Sequence, residues 1–222
     1  MQWIACTLTI LKKDLKIELR TKYALNMVLA FVVASLLLIM FTLKVQDMNP
    51  TPKSGLIWII ILFSALSSLG RSFILETDKN TYNILRIYAN STSVFVGKMA
   101  YNMLFTLAIN LLTFTLYIFL ANIIIVSWWA FVLILFMGTA GLSSVSTMIA
   151  AIVSQADRKG AIFSVLTIPL FIPFILLLTK LTKAAFVDGM NAGITNDVTA
   201  LIGFIGVTIT AGIILFDYIW EE

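Results

Sequence analysis

Charged residues cut this chain into long apolar stretches, and the stretches predict its elements. Tyr23 to Leu43 carries no charge and ends at Lys44. Ser54 to Gly70 is a second such stretch, bracketed by Lys53 and Arg71. Met99 to Ala156 is charge-free throughout and too long for one bilayer crossing. Dividing it near 122–127 yields two. Gly160 to Thr179 and Val198 to Phe216 follow. A membrane-crossing helix needs about 20 apolar residues. The pattern therefore predicts an all-α membrane protein with six transmembrane helices, at about 23–43, 54–70, 100–121, 128–154, 160–179 and 198–216. These make one transmembrane domain over 23–216, followed by a short tail at 217–222.

The first 22 residues read differently. Ile4, Leu8, Leu11, Leu15 and Leu19 fall on one helical face, with Lys12, Lys13, Lys16 and Arg20 around the remainder. A basic amphipathic helix of this kind lies along a membrane surface. It serves either as a topology anchor or as an elbow that also touches a partner subunit. It does not read as a cleaved signal peptide, because five basic residues precede an apolar span too long for one.

Lys and Arg placement sets the expected orientation. The N-terminal segment, the 71–98 loop and the 155–160 loop together hold eleven: Lys12, Lys13, Lys16, Arg20, Lys22, Arg71, Lys79, Arg86, Lys98, Arg158 and Lys159. Lys44, Lys53, Lys180 and Lys183 make four on the other side. The excess predicts a multi-pass protein with both termini in the cytoplasm. Tryptophans fit the same plan, with Trp3 and Trp220 expected at the inner interface and Trp58, Trp128 and Trp129 at the outer one. The longest outward loop, 180–197, contains the apolar stretch 184–187, which either stays in the loop or dips back toward the membrane.

Composition then narrows the function. Of 222 residues, 60% are hydrophobic and 12% charged, with mean hydropathy +1.02. Soluble proteins carry about 45–50% apolar and roughly 25% charged residues. The net charge of +4 sits in loops, so it reads as topology rather than nucleic-acid binding. The chain has no histidine, and Cys6 is its single cysteine. Intrachain disulfides, Cys-x-x-Cys motifs, histidine metal sites and His-dependent nucleophiles are thereby excluded. No charged residue falls inside the six predicted spans, which argues against proton relays, ion-coupled carriers and intramembrane proteolysis by aspartates. Gly97-Lys98 is followed by Met99, and no phosphate-cradling loop occurs. The chain reads as a non-catalytic subunit with no catalytic residue, metal or cofactor of its own. Any ATP it depends on is used by another polypeptide.

Three segments remain as candidates. The 71–98 loop mixes Phe73, Ile74, Tyr82, Leu85 and Ile87 with charge. Asn80 or Thr81 is placed to cap a short helix running to Arg86 or Tyr88. It reads either as a solvated loop or as a docking surface, with Arg71, Glu76, Asp78, Lys79, Tyr82 and Arg86 as contacts. Asp157, Arg158 and Lys159 form a second, smaller candidate in the next loop on that side. Span five carries Pro169 and Pro173, which remove backbone donors and mark a possible hinge. In span four, Gly138, Ala140, Gly141, Ser143, Ser144, Ser146, Thr147, Ala150 and Ala151 form a small-residue run suited to close helix packing.

The run Gly55-Leu56-Ile57-Trp58, then Leu69-Gly70-Arg71-Ser72-Phe73, Glu76, Leu85 and Gly97-Lys98-Met99, resembles the haem exporter protein B (CcmB) family. Gly138-Thr139-Ala140-Gly141 and the stretch from Ile168 to Pro173 resemble its later helices. Asn80 and Ala89 depart from the family, which often carries glycine and proline there. The resemblance implies an ABC-2 type exporter permease in a cytochrome c maturation transporter. It implies a homodimer on cytoplasmic ABC ATPase (CcmA-like) subunits. It implies further partners: a haem-handling membrane subunit (CcmC-like), a small membrane subunit (CcmD-like) and a haem chaperone (CcmE-like). Haem would be handled by those partners, with ATP hydrolysis linked to release of the loaded chaperone. Two other readings stay open: a permease for a lipid or other hydrophobic compound, and a non-transporting scaffold.

Overall fold

Small residues decide which helix lies at the centre. The structure, a computed structural model, describes residues 2–43, 45–79, 81–154, 159–188 and 194–221. Among the described residues there is no strand. The helices are α1 (Gln2–Thr21), α2 (Tyr23–Leu43), α3 (Pro50–Ser68), α4 (Arg71–Asp78), α5 (Tyr82–Tyr88), α6 (Ser91–Ala121), α7 (Trp128–Val153), α8 (Lys159–Lys183) and α9 (Ile194–Glu221). Among the described residues six segments are long and apolar enough to cross a membrane, as the charge-free stretches predict. Helix α7 packs against α6, α8 and α9 and also touches α3 and α4.

Its glycines make this possible. A Cβ built on Gly138 would lie 2.2 Å from Trp58 Cη2, and one on Gly141 would lie 2.0 Å from Phe174 Cζ. Aromatic rings of α3 and α8 thus fill notches in α7, and Phe95 of α6 fills a similar one at Gly212 of α9. Trp58 is fully buried, donates through Nε1 to Thr182 Oγ1 at 2.8 Å and meets the Phe114 ring edge-on. It is an internal packing residue, not the interface anchor that its position predicts. Trp220 is also buried, against Tyr82 and Phe216, whereas Trp3, Trp128 and Trp129 are exposed.

Helix boundaries depart from the charge-free stretches at several places, including the ends of α8 and α9, which run past 160–179 and 198–216. Helix α3 starts at Pro50 and includes Lys53, because proline fits the first helical turn without losing a needed donor. Helix α6 starts at Ser91, well before the predicted 100, and so takes Lys98 into its interior. The chain leaves α6 through Asn122 in the left-handed conformation, φ 48°, which asparagine tolerates. The stretch 184–187 continues the fifth apolar helix, inside the candidate span Ala161–Val187. It falls in a π-helical turn, Ala184–Asp188, that extends α8, and the Ala185 carbonyl accepts from the N–H groups of Val126 and Ser127 at 3.1 Å each.

Helix α1 presents three faces. Ile10 and Asp14 are buried against the bundle, and α1 packs closely on α6 at Gly97, where an added Cβ would meet Ile10 Cβ and the Thr7 carbonyl at 3.1 Å. The stripe of Ile4, Leu8 and Leu19 is exposed, as a membrane-surface helix requires. Lys12, Lys16 and Arg20 form the exposed basic face. The turn into α2 is made at Lys22, φ 50°, and the Leu25 N–H donates to Glu18 Oε1 at 3.0 Å.

Candidate functional site

Helices α4 and α5 form a short hairpin at the end of the bundle shared with α1 and the start of α6. Lys79 and Thr81 lie in the short link between them. The Thr81 N–H donates to the Glu76 carbonyl at 2.9 Å, and its hydroxyl donates to Glu76 Oε2 at 2.5 Å. Glu76 therefore closes the turn with its backbone while its side chain points inward.

What it meets there is Lys98. The Lys98 side chain is completely buried, and its Nζ donates to Glu76 Oε1 at 3.2 Å, Asp14 Oδ2 at 3.2 Å and the Ser72 carbonyl at 2.7 Å. An ammonium has three N–H donors, so each finds an acceptor. The Phe73 ring centroid lies 5.2 Å from Nζ and adds a cation–π contact. Lys13 pairs with Glu76 and lies 3.4 Å from Asp14. Two ammoniums and two carboxylates make a neutral cluster drawn from α1, α4 and α6, which is how burial of charge becomes tolerable. Burial alone would depress the Lys13 ammonium, but Asp14 and Glu76 outweigh it and raise its pKa above the ordinary 10.5.

Beside the cluster, between α1, α4, α5 and α6, opens a groove of about 330 Å³. Lys13, Ile17, Leu75, Ile84, Tyr88 and Tyr101 are among its walls. The outer side of α5 is apolar and exposed, with Ile87 at 78% and Tyr88 at 82% exposure. Asp78 and Lys79 are exposed at the turn, and Arg86 is half-buried.

The sequence-predicted contacts thus separate. Asp78, Lys79 and Arg86 reach the outside of the hairpin. Glu76 is taken up by the buried cluster, and Tyr82 is buried with its ring edge-on to Trp220. The Arg71 backbone begins α4, but its side chain lies outside the described part, as does that of Lys159 at the start of α8. Asp157 and Arg158 lie outside the described residues. Pro169 and Pro173 sit inside α8, both on its exposed face, and the helix is assigned continuously through them. Sequence reasoning misses Lys98 and Asp14. Lys98 stands in the Gly97-Lys98-Met99 motif but reads as a loop charge, and the signal for Asp14 is the helical face it shares with Ile10. Among the described residues no group of three His, Cys, Asp or Glu side chains is placed to hold a metal ion.

The family model described as "CcmB protein" matches residues 5–216. This chain belongs to the CcmB protein family. Two curated relatives match over most of their length. "Heme exporter protein B" of Haemophilus influenzae is 28% identical over 191 residues, covering 83% of this chain and 83% of the relative. "Heme exporter protein B" of Rhodobacter capsulatus is 25% identical over 205 residues, covering 88% of this chain and 94% of the relative. The family match takes in α4, α5 and nearly all of α1, so the charge cluster lies within the family's own region and is not an appendage to it.

Proposed function

We propose that this chain is the permease subunit of an ABC transporter for cytochrome c maturation, docking a separate cytoplasmic ATPase through the α4–α5 hairpin. The observation that carries the reading is the pairing of an exposed apolar ridge, Ile84, Ile87 and Tyr88, with a buried charge lock directly beneath it. An exposed apolar patch rimmed by charge suits a protein partner. A hairpin tied to a membrane helix by Glu76 and Lys98 suits a partner that must move that helix. The relatives' name, heme exporter protein B, supports haem delivery as the process served. In this reading both termini lie in the cytoplasm, the permease works as a homodimer, and haem is held by a separate membrane subunit and its chaperone. ATP is bound by the ATPase alone. Glu76 positions the hairpin, and Asp78, Lys79 and Arg86 join the apolar ridge as contacts.

The test is co-purification of the ATPase subunit with Ile87→Asp and Tyr88→Ala variants from native membranes. Hot-spot aromatic and aliphatic anchors typically contribute at least about 2 kcal/mol, some thirtyfold in affinity. The expected result is loss of ATPase recovery with the permease itself at normal abundance. Normal recovery and ATP turnover with both variants would remove the hairpin as the dock.

A further inference from the structure

Helices α6 and α7 meet along polar side chains deep in the membrane domain. On α6, Asn102, Thr106 and Asn110 recur every fourth residue; on α7, Thr139, Ser143 and Thr147 do the same. The Asn102 carboxamide donates to Thr147 Oγ1 at 2.8 Å, and that of Asn110 to Thr139 Oγ1 at 3.0 Å. These two rungs stand eight residues apart on both helices, so they belong to one antiparallel register. That register sets Thr106 level with Ser143. All six side chains are buried.

The ladder is incomplete. Asn102 Oδ1, Thr106 Oγ1 and Asn110 Oδ1 have no hydrogen-bond partner, and neither does Ser146 Oγ on the next turn of α7. Other buried hydroxyls of these helices are paired: Thr113, Thr139 and Thr147 each donate to a carbonyl one turn back. Leaving a buried polar atom unpaired is costly, more so where no bulk water is near. Three such atoms on one face of one helix, with a fourth across the seam, point to a missing partner. Two are carboxamide oxygens that need a donor, and two are hydroxyls that take either role. Water supplies both functions.

We propose that the α6–α7 seam is a hydrated track inside the membrane domain, holding water between Asn102 and Asn110. Those residues span about 12 Å at 1.5 Å per residue. Its nearer end adjoins the charge cluster, because Asn102 Nδ2 lies 3.5 Å from the hydroxyl of Ser72, whose carbonyl binds Lys98. Water therefore enters from that end when α6 and α7 part. The proposal does not depend on the identity of the docked partner.

Single-cysteine labelling of the full-length protein in membranes tests it. In a Cys6→Ser background, Thr106→Cys is compared with Leu142→Cys, which is equally buried but among apolar neighbours. A charged, water-borne methanethiosulfonate is the probe. Thr106→Cys should react roughly tenfold faster or more, because the reactive thiolate forms only where water reaches it. Ser143→Cys, on the facing helix, provides the same readout if Thr106→Cys fails to fold. Reaction of these cysteines no faster than that of Leu142→Cys overturns the proposal.

Discussion

Replacing Lys98 with methionine keeps an unbranched stem of similar length and removes only the ammonium. Three acceptors then lose their donor: Asp14 Oδ2, Glu76 Oε1 and the Ser72 carbonyl. The cluster passes from neutral to one net negative charge, with Lys13 alone to serve two carboxylates. Breaking a fully buried ion pair by removing one partner costs about 3–5 kcal/mol. Relief is available here, since the Lys13 side chain is 36% exposed and the two carboxylates are at the 9% level. That lowers the expected cost to about 2–4 kcal/mol. For a chain of this length the loss corresponds to a Tm decrease on the order of 5–15 °C. Thermal unfolding of the purified protein in detergent, followed by tryptophan fluorescence, measures it. Lys180→Met is the control, because its pair with Asp197 is 67% exposed on the lysine side and should matter by less than about 1 kcal/mol. Adding Glu76→Gln to Lys98→Met restores neutrality and should recover part of the loss, a coupling that a double-mutant cycle isolates. The reasoning fails if Lys98→Met shifts Tm no more than Lys180→Met. It fails equally if the second substitution adds its own full penalty.

Two further outcomes follow from packing and charge. Gly141→Ala should destabilise by about 1–3 kcal/mol through overpacking, since Phe174 is fully buried and cannot swing away. Gly203→Ala, with nothing within 4 Å of the added carbon, should be neutral or slightly stabilising in the same unfolding assay. Lys13 has a raised pKa, so while its carboxylate partners stay ionised its contribution is complete from neutral pH up to the ordinary 10.5 and is lost as pH rises through the raised value. The Tm difference between the native protein and Lys13→Met should therefore be constant through neutral pH and shrink only in strong alkali. A difference that vanished near neutrality would contradict the pairing.

The charge-free stretches made the membrane helices legible because lipid leaves the chain few alternatives: helix ends must reach water or a partner. Tyr23 to Leu43 is both the first apolar run and α2. The small-residue run of span four was legible as packing for a similar reason, since only close approach explains so many missing side chains in lipid. Lys98 was not legible. A buried charge is tolerated through partners distant in sequence, and Asp14 lies 84 residues away. Trp58 was misplaced for the converse reason. Its ring suits either an interface or a glycine notch, and only the position of Gly138 on another helix decides between them. The docking residues divide along the same line, because spacing within the 71–98 segment says which residues are helical but not which side of a two-helix hairpin faces Lys98.

The cluster and the polar seam together say where this fold is stiff and where it yields. The acceptors of Lys98 come from α1 and α4, so neither element can shift against the start of α6 without stranding charge. Charge-assisted bonds of this kind are roughly twice as strong as neutral ones. The cluster therefore ties α4 and α1 to the start of α6. One turn further along, at Asn102, the contacts between α6 and α7 become neutral amide–hydroxyl bonds. Each of those is worth about 1 kcal/mol net and can be exchanged for water. The water proposed for the seam lowers the cost of separation further, because it keeps these polar atoms paired as the helices part. Motion that begins at the hairpin should accordingly appear as displacement of α6 against α7, not as flexing within the cluster. Disulfide cross-linking of α6 to α7 through Thr106→Cys and Ser143→Cys should abolish that motion.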